Sequence, residues 1–185
     1  MVAEKSARAK TEAKTSELSL ESREASSQTF EISRYSVDAP PGKIENRVFI
    51  GGNYALMPIL REIASVVLES NLQPIIAYDF DIPFEKTREL TLRLLFQCKI
   101  AIFDETLGNG QLVEIVRASG FSETCIFQVY MAIDERREPP KTMSVMVWQA
   151  TPPPQGYLTI NELREIVGTF LARNTRKLQE STNHP

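Results

Sequence analysis

An unbroken apolar run, Ile100 to Phe103, constrains the fold more than any other feature of the sequence. The run does not alternate with polar residues, which is typical of a strand that is buried on both faces. Three polar residues, Asp104 to Thr106, follow directly, and a turn over 107–110 leads into residues with helical spacing that end at Gly120. A doubly covered strand followed by a helix is the building unit of a parallel α/β sheet.

The same alternation of strand and helix extends from residue 44 to residue 174. The pattern predicts strands at 47–50, 74–78, 99–103, 125–131 and 144–148, and helices at 58–70, 85–97 and 112–119. A last helix is predicted after Thr159, because Thr159 and Glu162 have the spacing of a capping box. We therefore predict an α/β fold of the flavodoxin-like, doubly wound kind, with a mainly parallel five-stranded sheet and helices on both faces. The proline-rich stretch Thr151–Gly156 is predicted to be a stiff connector.

The two ends of the chain have a different character. Residues 1–43 are poor in apolar side chains over most of their length and are predicted to be a disordered, low-complexity extension. An added edge strand at 29–37 is an open alternative within that extension, because apolar residues recur there. Residues 175–185 are predicted to be a frayed tail.

Charge and hydropathy exclude several classes of function. The chain has 21 Lys and Arg against 24 Asp and Glu, a net charge of -3, so it lacks the basic field that general nucleic-acid binding needs. No apolar run is long enough for a membrane span, and no apolar signal-peptide segment is present. We therefore expect a cytoplasmic protein with no membrane partner.

The cysteines and the histidine argue against several further kinds of catalytic and metal site. Cys98 and Cys125 lie in or beside predicted core strands and suggest neither a disulfide framework nor a zinc site. The only histidine, His184, is the penultimate residue, which argues against Ser-His and Cys-His nucleophile systems and His-ligated metals. We expect no cofactor and no metal, and any catalysis must use carboxylates, hydroxyls, amides or lysine.

Candidate site residues follow from the sheet itself, since ligands of open parallel sheets bind outside the carboxyl ends of the strands. Those ends and the helix that follows the third strand supply Gly51, Gly52, Asn53, Tyr54, Asp79, Asp81, Asp104, Glu105, Thr106, Asp134 and Glu114. Several carboxylates are thus predicted to converge where a ligand binds.

Three familiar nucleotide and phosphoacceptor sites fit this list poorly. The stretch after the first strand, GGNYALM, lacks the third glycine of a dinucleotide fingerprint and the lysine of a P-loop. A phosphoacceptor receiver domain needs an acidic pair after the first strand and a lysine after the fifth, where this chain has glycines and Gln149. For Asp79 and Asp81, sugar or metal binding and simple turn formation both remain open.

Glu114 lies in the first turn of the predicted helix, where the helix dipole favours the ionised carboxylate by about 0.3–1 kcal/mol. An ionised carboxylate at the mouth of a sheet is a candidate nucleophile. An ordinary surface pair with Arg117, worth about 0.2–0.5 kcal/mol, is the alternative interpretation.

Four segments together carry a family resemblance: VFIGGNY, QPIIAYD, LLFQCKIAIFDET and GNGQLVEIVRA. They are similar to the nucleoside 2-deoxyribosyltransferase-like family and to its relatives among bacterial TIR-like domains. In that group an acidic strand end is followed by an asparagine- or glycine-bearing turn, here with Asn109, and by a helix that carries the catalytic glutamate, which falls on Glu114.

The resemblance implies an N-ribosyl hydrolase or transferase that acts on a nucleoside, a nucleotide or NAD and forms a homo-oligomer. It implies that Glu114 attacks or stabilises the anomeric carbon, and that Asp104 or Asp79 assists protonation or sugar binding. The remaining substrate-binding candidates are Gly51, Gly52, Asn53, Tyr54, Asp81, Thr106 and Asn109. Ile115 and Val116 stand where the family usually has Leu-Gly, so a non-catalytic nucleotide-binding or TIR-like signalling module of the same fold is the alternative.

Overall fold

The computed structural model of the chain describes residues 35–107, 124–136 and 153–182, all within the unit Arg34–Pro185. The described strands are β1 (Arg47–Gly51), β2 (Gln73–Ile75), β3 (Ile100–Asp104), β4 (Cys125–Met131) and β5 (Gln155–Tyr157). The described helices are α1 (Met57–Glu69), α2 (Thr87–Leu95) and α3 (Ile160–Thr182). Short 3₁₀ helices at Ile44–Asn46, Tyr54–Leu56, Ala77–Asp79 and Phe84–Lys86 connect them.

The five strands form one sheet in the order β2-β1-β3-β4-β5, and every described pairing is parallel. This arrangement confirms the predicted α/β flavodoxin-like fold. The order reverses direction beside β1, since β2 lies on one side of it and β3 on the other.

Helices cover both faces of the sheet. One core cluster packs α1 and α3 against one face, with Val48, Ile50, Ile100 and Ile102 pointing into it. The other cluster packs α2 against the opposite face, with Phe49, Ala101 and Phe103 alternating to that side. Burial on both faces is the physical reason that residues 48–50 of β1 and 100–103 of β3 are all apolar.

The last helix begins as the capping-box spacing predicts. The Thr159 hydroxyl accepts a hydrogen bond from the Glu162 backbone N–H at 3.2 Å, and the Glu162 carboxylate accepts one from the Leu158 N–H at 2.7 Å. Two backbone donors at the helix start are therefore satisfied by side chains. The helix continues through Thr182, beyond residue 175, where fraying was predicted.

Several boundaries differ from the sequence predictions. Of the predicted connector Thr151–Gly156, residues 155 and 156 lie in β5, which pairs with β4. The predicted strand at 144–148, the helix at 112–119 and most of the edge strand at 29–37 lie outside the described residues. Within that predicted edge strand, Tyr35 forms a single parallel bridge to Phe80.

Residues 35–43, which the sequence placed in a disordered extension, pack on the domain. Val37 is buried in the α2-side core, and the Arg47 guanidinium donates hydrogen bonds to the carbonyls of Pro40, Pro41 and Gly42. One arginine at the start of β1 thus fixes a segment whose composition alone gives no ordering signal.

No described helix is long and apolar enough to cross a membrane.

Candidate functional site

The carboxyl ends of β1 and β3 lie side by side at the point where the strand order reverses. Gly51, the last residue of β1, is in register with Phe103, and Asp104 ends β3 one residue later. The loops that follow these two strands therefore leave the sheet next to each other, and the crevice between such loops is where open parallel sheets bind ligands.

The two glycines at the end of β1, Gly51 and Gly52, pack closely against side chains of the protein itself. A Cβ on Gly51 would lie 2.5 Å from ring carbons of Phe103, which is fully buried, and 3.2 Å from the Phe49 ring. A Cβ on Gly52 would lie 2.6 Å from Leu60 Cδ2. The close contacts at these two positions are thus with core side chains.

We expect Gly51→Ala to lower the free energy of unfolding by about 1–3 kcal/mol, because the Phe103 ring has no space into which it can move. Gly168→Ala is the matched control, since its Cβ would meet only Val66 Cγ1 at an ordinary 3.8 Å. That helical substitution is expected to stabilise the chain by about 0.5–1 kcal/mol. Urea unfolding midpoints of the two variants should move in opposite directions, and equal midpoints would contradict the packing argument.

The next two predicted residues form a small cap and an exposed ring. The Asn53 side-chain oxygen accepts a hydrogen bond from the Ala55 N–H at 2.9 Å and so caps the 3₁₀ helix Tyr54–Leu56. Tyr54, in the first position of that helix, is 43% exposed, and its ring packs against Tyr78 from the loop after β2. Asn53 thus fixes the turn that presents Tyr54 at this edge of the sheet.

Asp79 has a charged partner that sequence reasoning missed. Both of its carboxylate oxygens accept hydrogen bonds from the guanidinium of Arg61 on α1, one of them at 2.6 Å. The hydrogen bond from Asp79 raises the pKa of Arg61, so the arginine stays charged although it is half-buried. This two-point pair ties the turn after β2 to α1. Asp81, two residues later, is exposed.

Asp104 lies in the interior of the protein. The Tyr157 hydroxyl donates to its Oδ2 at 2.8 Å, and the Thr106 N–H donates to its Oδ1 at 3.1 Å. The carboxyl is 1% exposed, and burial raises its pKa above the ordinary range, although these hydrogen bonds act in the opposite direction. Burial likewise raises the pKa of Tyr157, which therefore keeps its proton.

Thr106 extends this network across the sheet. Its hydroxyl accepts a hydrogen bond from the Met131 N–H at 2.8 Å, which joins the loop after β3 to the end of β4. Tyr157 contacts Asp104 from the end of β5. The side chains of Tyr157, Asp104 and Thr106 therefore connect the ends of β3, β4 and β5. The network fixes the start of the loop that leads toward Glu114.

Two more polar side chains are buried beside this network. Glu105 is 7% exposed, and its N–H donates to the Val129 carbonyl at 2.8 Å; Gln128 is 1% exposed, within β4. The sequence alone could have singled out Gln128, because it is the one polar residue in the run CIFQVYM. It could not have singled out Tyr157, since the partner of Tyr157 is 53 residues away.

Several predicted residues cannot be placed by the structure. Glu114, Asn109 and Arg117 lie outside the described residues. Asp134 is exposed in the turn after β4. Within the described ranges, no group of three or more His, Cys, Asp or Glu side chains is arranged to hold a metal ion.

Neither cysteine forms a disulfide bond. Cys98 is buried in the α2-side core, where its thiol donates to the Leu94 carbonyl and burial raises its pKa to about 12. A thiol with so high a pKa is a poor nucleophile at neutral pH, so the Cys98 side chain is a packing residue.

No family model matches the chain, and no curated protein matches it. Among solved structures, the chain is similar to a rubredoxin oxygen:oxidoreductase from the anaerobe Desulfovibrio gigas, with 10% sequence identity and a TM-score of 0.48. The match covers 79% of this chain but 38% of that enzyme.

Proposed function

We propose that this chain binds a nucleoside or nucleotide in the crevice between the loops after β1 and β3 and cleaves its N-glycosidic bond, with Glu114 as the nucleophile. The observation that supports this proposal is the register of Gly51 with Phe103 at the reversal of strand order. That register brings the loop leading toward Glu114 beside the loop that carries Asn53 and Tyr54.

The proposed reaction needs one ionised carboxylate and one proton donor. The Glu114 carboxylate attacks C1′ of the sugar, the C1′–N bond breaks, and its electron pair stays on the base nitrogen, which takes up a proton. Water or a second base then attacks C1′ and releases Glu114. Attack by water gives hydrolysis, and attack by a base gives transfer.

Asp79 and Asp104, the two carboxyls predicted to assist, have internal partners in Arg61 and Tyr157. We assign them to positioning: Asp79 fixes the turn after β2, and Asp104 fixes Thr106 at the start of the loop after β3. A water molecule is then the source of the proton.

Direct assay of base release tests the proposal. The full chain is incubated separately with the four deoxynucleosides, their 5′-monophosphates and NAD, and the products are separated by chromatography. Free base or nicotinamide from at least one substrate is the expected result. Absence of release from every substrate, at enzyme and substrate concentrations where binding is saturated, would overturn the catalytic assignment.

A second candidate is a nucleotide-binding module of the same fold without catalysis. The hydrogen bonds of Asp79 and Asp104 to internal partners favour this second candidate. Because both carboxyls have positioning roles, neither is assigned to protonate a leaving base. Calorimetric binding without base release distinguishes this module from the enzyme.

A further inference from the structure

Tyr54 and Tyr78 form an exposed aromatic pair at the carboxyl edge of the sheet. Their ring centroids are 5.5 Å apart, and the planes meet at 64° in an edge-to-face arrangement. Tyr54 is 43% exposed and Tyr78 is 53% exposed. Because an edge-to-face contact uses the edge of one ring, much of the aromatic surface is left open to a ligand.

The two tyrosines come from the neighbouring loops after β1 and β2, and the first of these loops borders the crevice. Tyr54 begins the 3₁₀ helix after β1, and Tyr78 lies in the 3₁₀ helix Ala77–Asp79 after β2. Core side chains fix the first loop, since Leu56 is buried beside α1. The pair therefore stands on a fixed edge of the proposed binding crevice.

The Arg61–Asp79 pair holds Tyr78 in place and sets the local charge. Asp79 follows Tyr78 directly in the chain, and Arg61 anchors it to α1 through two hydrogen bonds. Arg61 and Asp79 are 29% and 18% exposed, so the pair is partly buried. Since its guanidinium is engaged with Asp79, Arg61 offers little positive charge to a phosphate, and exposed Asp81 adds a negative charge nearby.

We propose that Tyr54 and Tyr78 form the platform on which the base of an unphosphorylated nucleoside stacks, with Tyr78 as a base-binding residue. The proposal rests on the function proposed above, because it takes the crevice to bind a nucleoside. Flat aromatic bases stack on tyrosine with little dependence on their hydrogen-bonding edges. A 5′-phosphate is disfavoured by the charges described here, since Arg61 is engaged with Asp79 and Asp81 is negative.

The test compares affinities across ligands and variants of the full chain. The four deoxynucleosides and their 5′-monophosphates are titrated separately, with Kd measured by calorimetry or KM where base is released. We expect at least one deoxynucleoside to bind more tightly than its monophosphate. Tyr78→Ala should weaken its binding about 5- to 100-fold, the range for loss of one base-stacking ring.

Two further variants separate stacking from folding. Tyr78→Phe keeps the ring and should stay within about 3-fold of the wild-type affinity, which a hydroxyl-dependent role would not allow. Phe84→Ala is the matched control, because Phe84 is a 94% exposed aromatic residue that does not belong to the pair, and its removal should leave the affinity unchanged.

The outcomes distinguish this proposal from the catalytic one. Nucleoside binding that Tyr78→Ala weakens, without base release, supports the platform and overturns catalysis. Base release with an unchanged KM in Tyr78→Ala supports catalysis and overturns the platform. Tighter binding of every monophosphate than of its nucleoside also overturns the platform, and so does absence of nucleoside binding. Absence of binding by every nucleoside, every monophosphate and NAD overturns both proposals.

Discussion

Glu114→Gln is expected to reduce base release by about 10²–10⁴-fold while ligand binding persists. Glutamine has nearly the shape of glutamate but cannot act as an anionic nucleophile, so the C1′–N bond would lose its attacking group while the crevice keeps its form. Initial rates of base release and the dissociation constant of the same nucleoside are measured for both proteins. A fall in kcat with a smaller change in KM is the signature of a group that acts on the reacting bond.

The control for Glu114 is the same change at an exposed glutamate. Glu89 lies in the first turn of α2 and is exposed, so Glu89→Gln removes one negative charge away from the proposed crevice. Its base-release rate should match that of the wild type. Undiminished release in Glu114→Gln would exclude the carboxylate mechanism, and equal losses in both variants would indicate a general charge effect.

The main architecture was predictable because it depends on local and periodic signals. The predicted strand at 125–131 coincides with β4, and the helix predicted at 58–70 differs from α1 by one residue at each end. Both elements carry continuous or helical apolar patterns, and the start of α3 carries a capping box that the side chains form. Long, strongly patterned elements are determined mainly by which face they bury.

The strand β5 was not predictable for an equally physical reason. It has three residues, follows consecutive prolines, and has no periodic pattern of its own. Pairing with β4, more than twenty residues away in sequence, creates the strand. The interpretation of Thr151–Gly156 as a connector used the local stiffness of proline, and tertiary pairing determined the last two of those residues.

The same difference between local and long-range information applies to the candidate site. The strand-end rule located Asp79, Asp104 and Thr106 at one edge of the sheet, as observed. It did not reveal their partners, because Arg61 and Tyr157 are 18 and 53 residues away from the carboxylates they contact. Sequence position indicates where a carboxyl lies, while contacts between distant segments decide whether it faces a ligand or the interior.

Replacement of Asp104 by leucine is expected to lower the free energy of unfolding by about 2–4 kcal/mol. The change leaves the Tyr157 hydroxyl and the Thr106 N–H without their acceptor, and each buried or half-buried donor that loses its partner costs about 1–3 kcal/mol. Guanidinium unfolding measures the loss. A decrease below about 0.5 kcal/mol would show that the three-strand network contributes little to folding.

Asp104→Asn tests the raised pKa separately, through the pH dependence of stability. Because burial raises the pKa of Asp104 in the folded chain, the folded state binds more protons than the unfolded state once the pH exceeds the ordinary aspartate value of about 4. The wild type therefore loses stability as the pH rises from that value through the folded pKa, whereas asparagine does not titrate. We expect the stability of Asp104→Asn relative to wild type to increase with pH over this window and then level off.

Asp134→Asn, the same change at an exposed position, is the control and should show no such increase. A difference between Asp104→Asn and wild type that is constant from pH 4 to pH 9 would mean that the folded protein ionises this carboxyl as easily as the unfolded chain does, and that the interior network stabilises the anion.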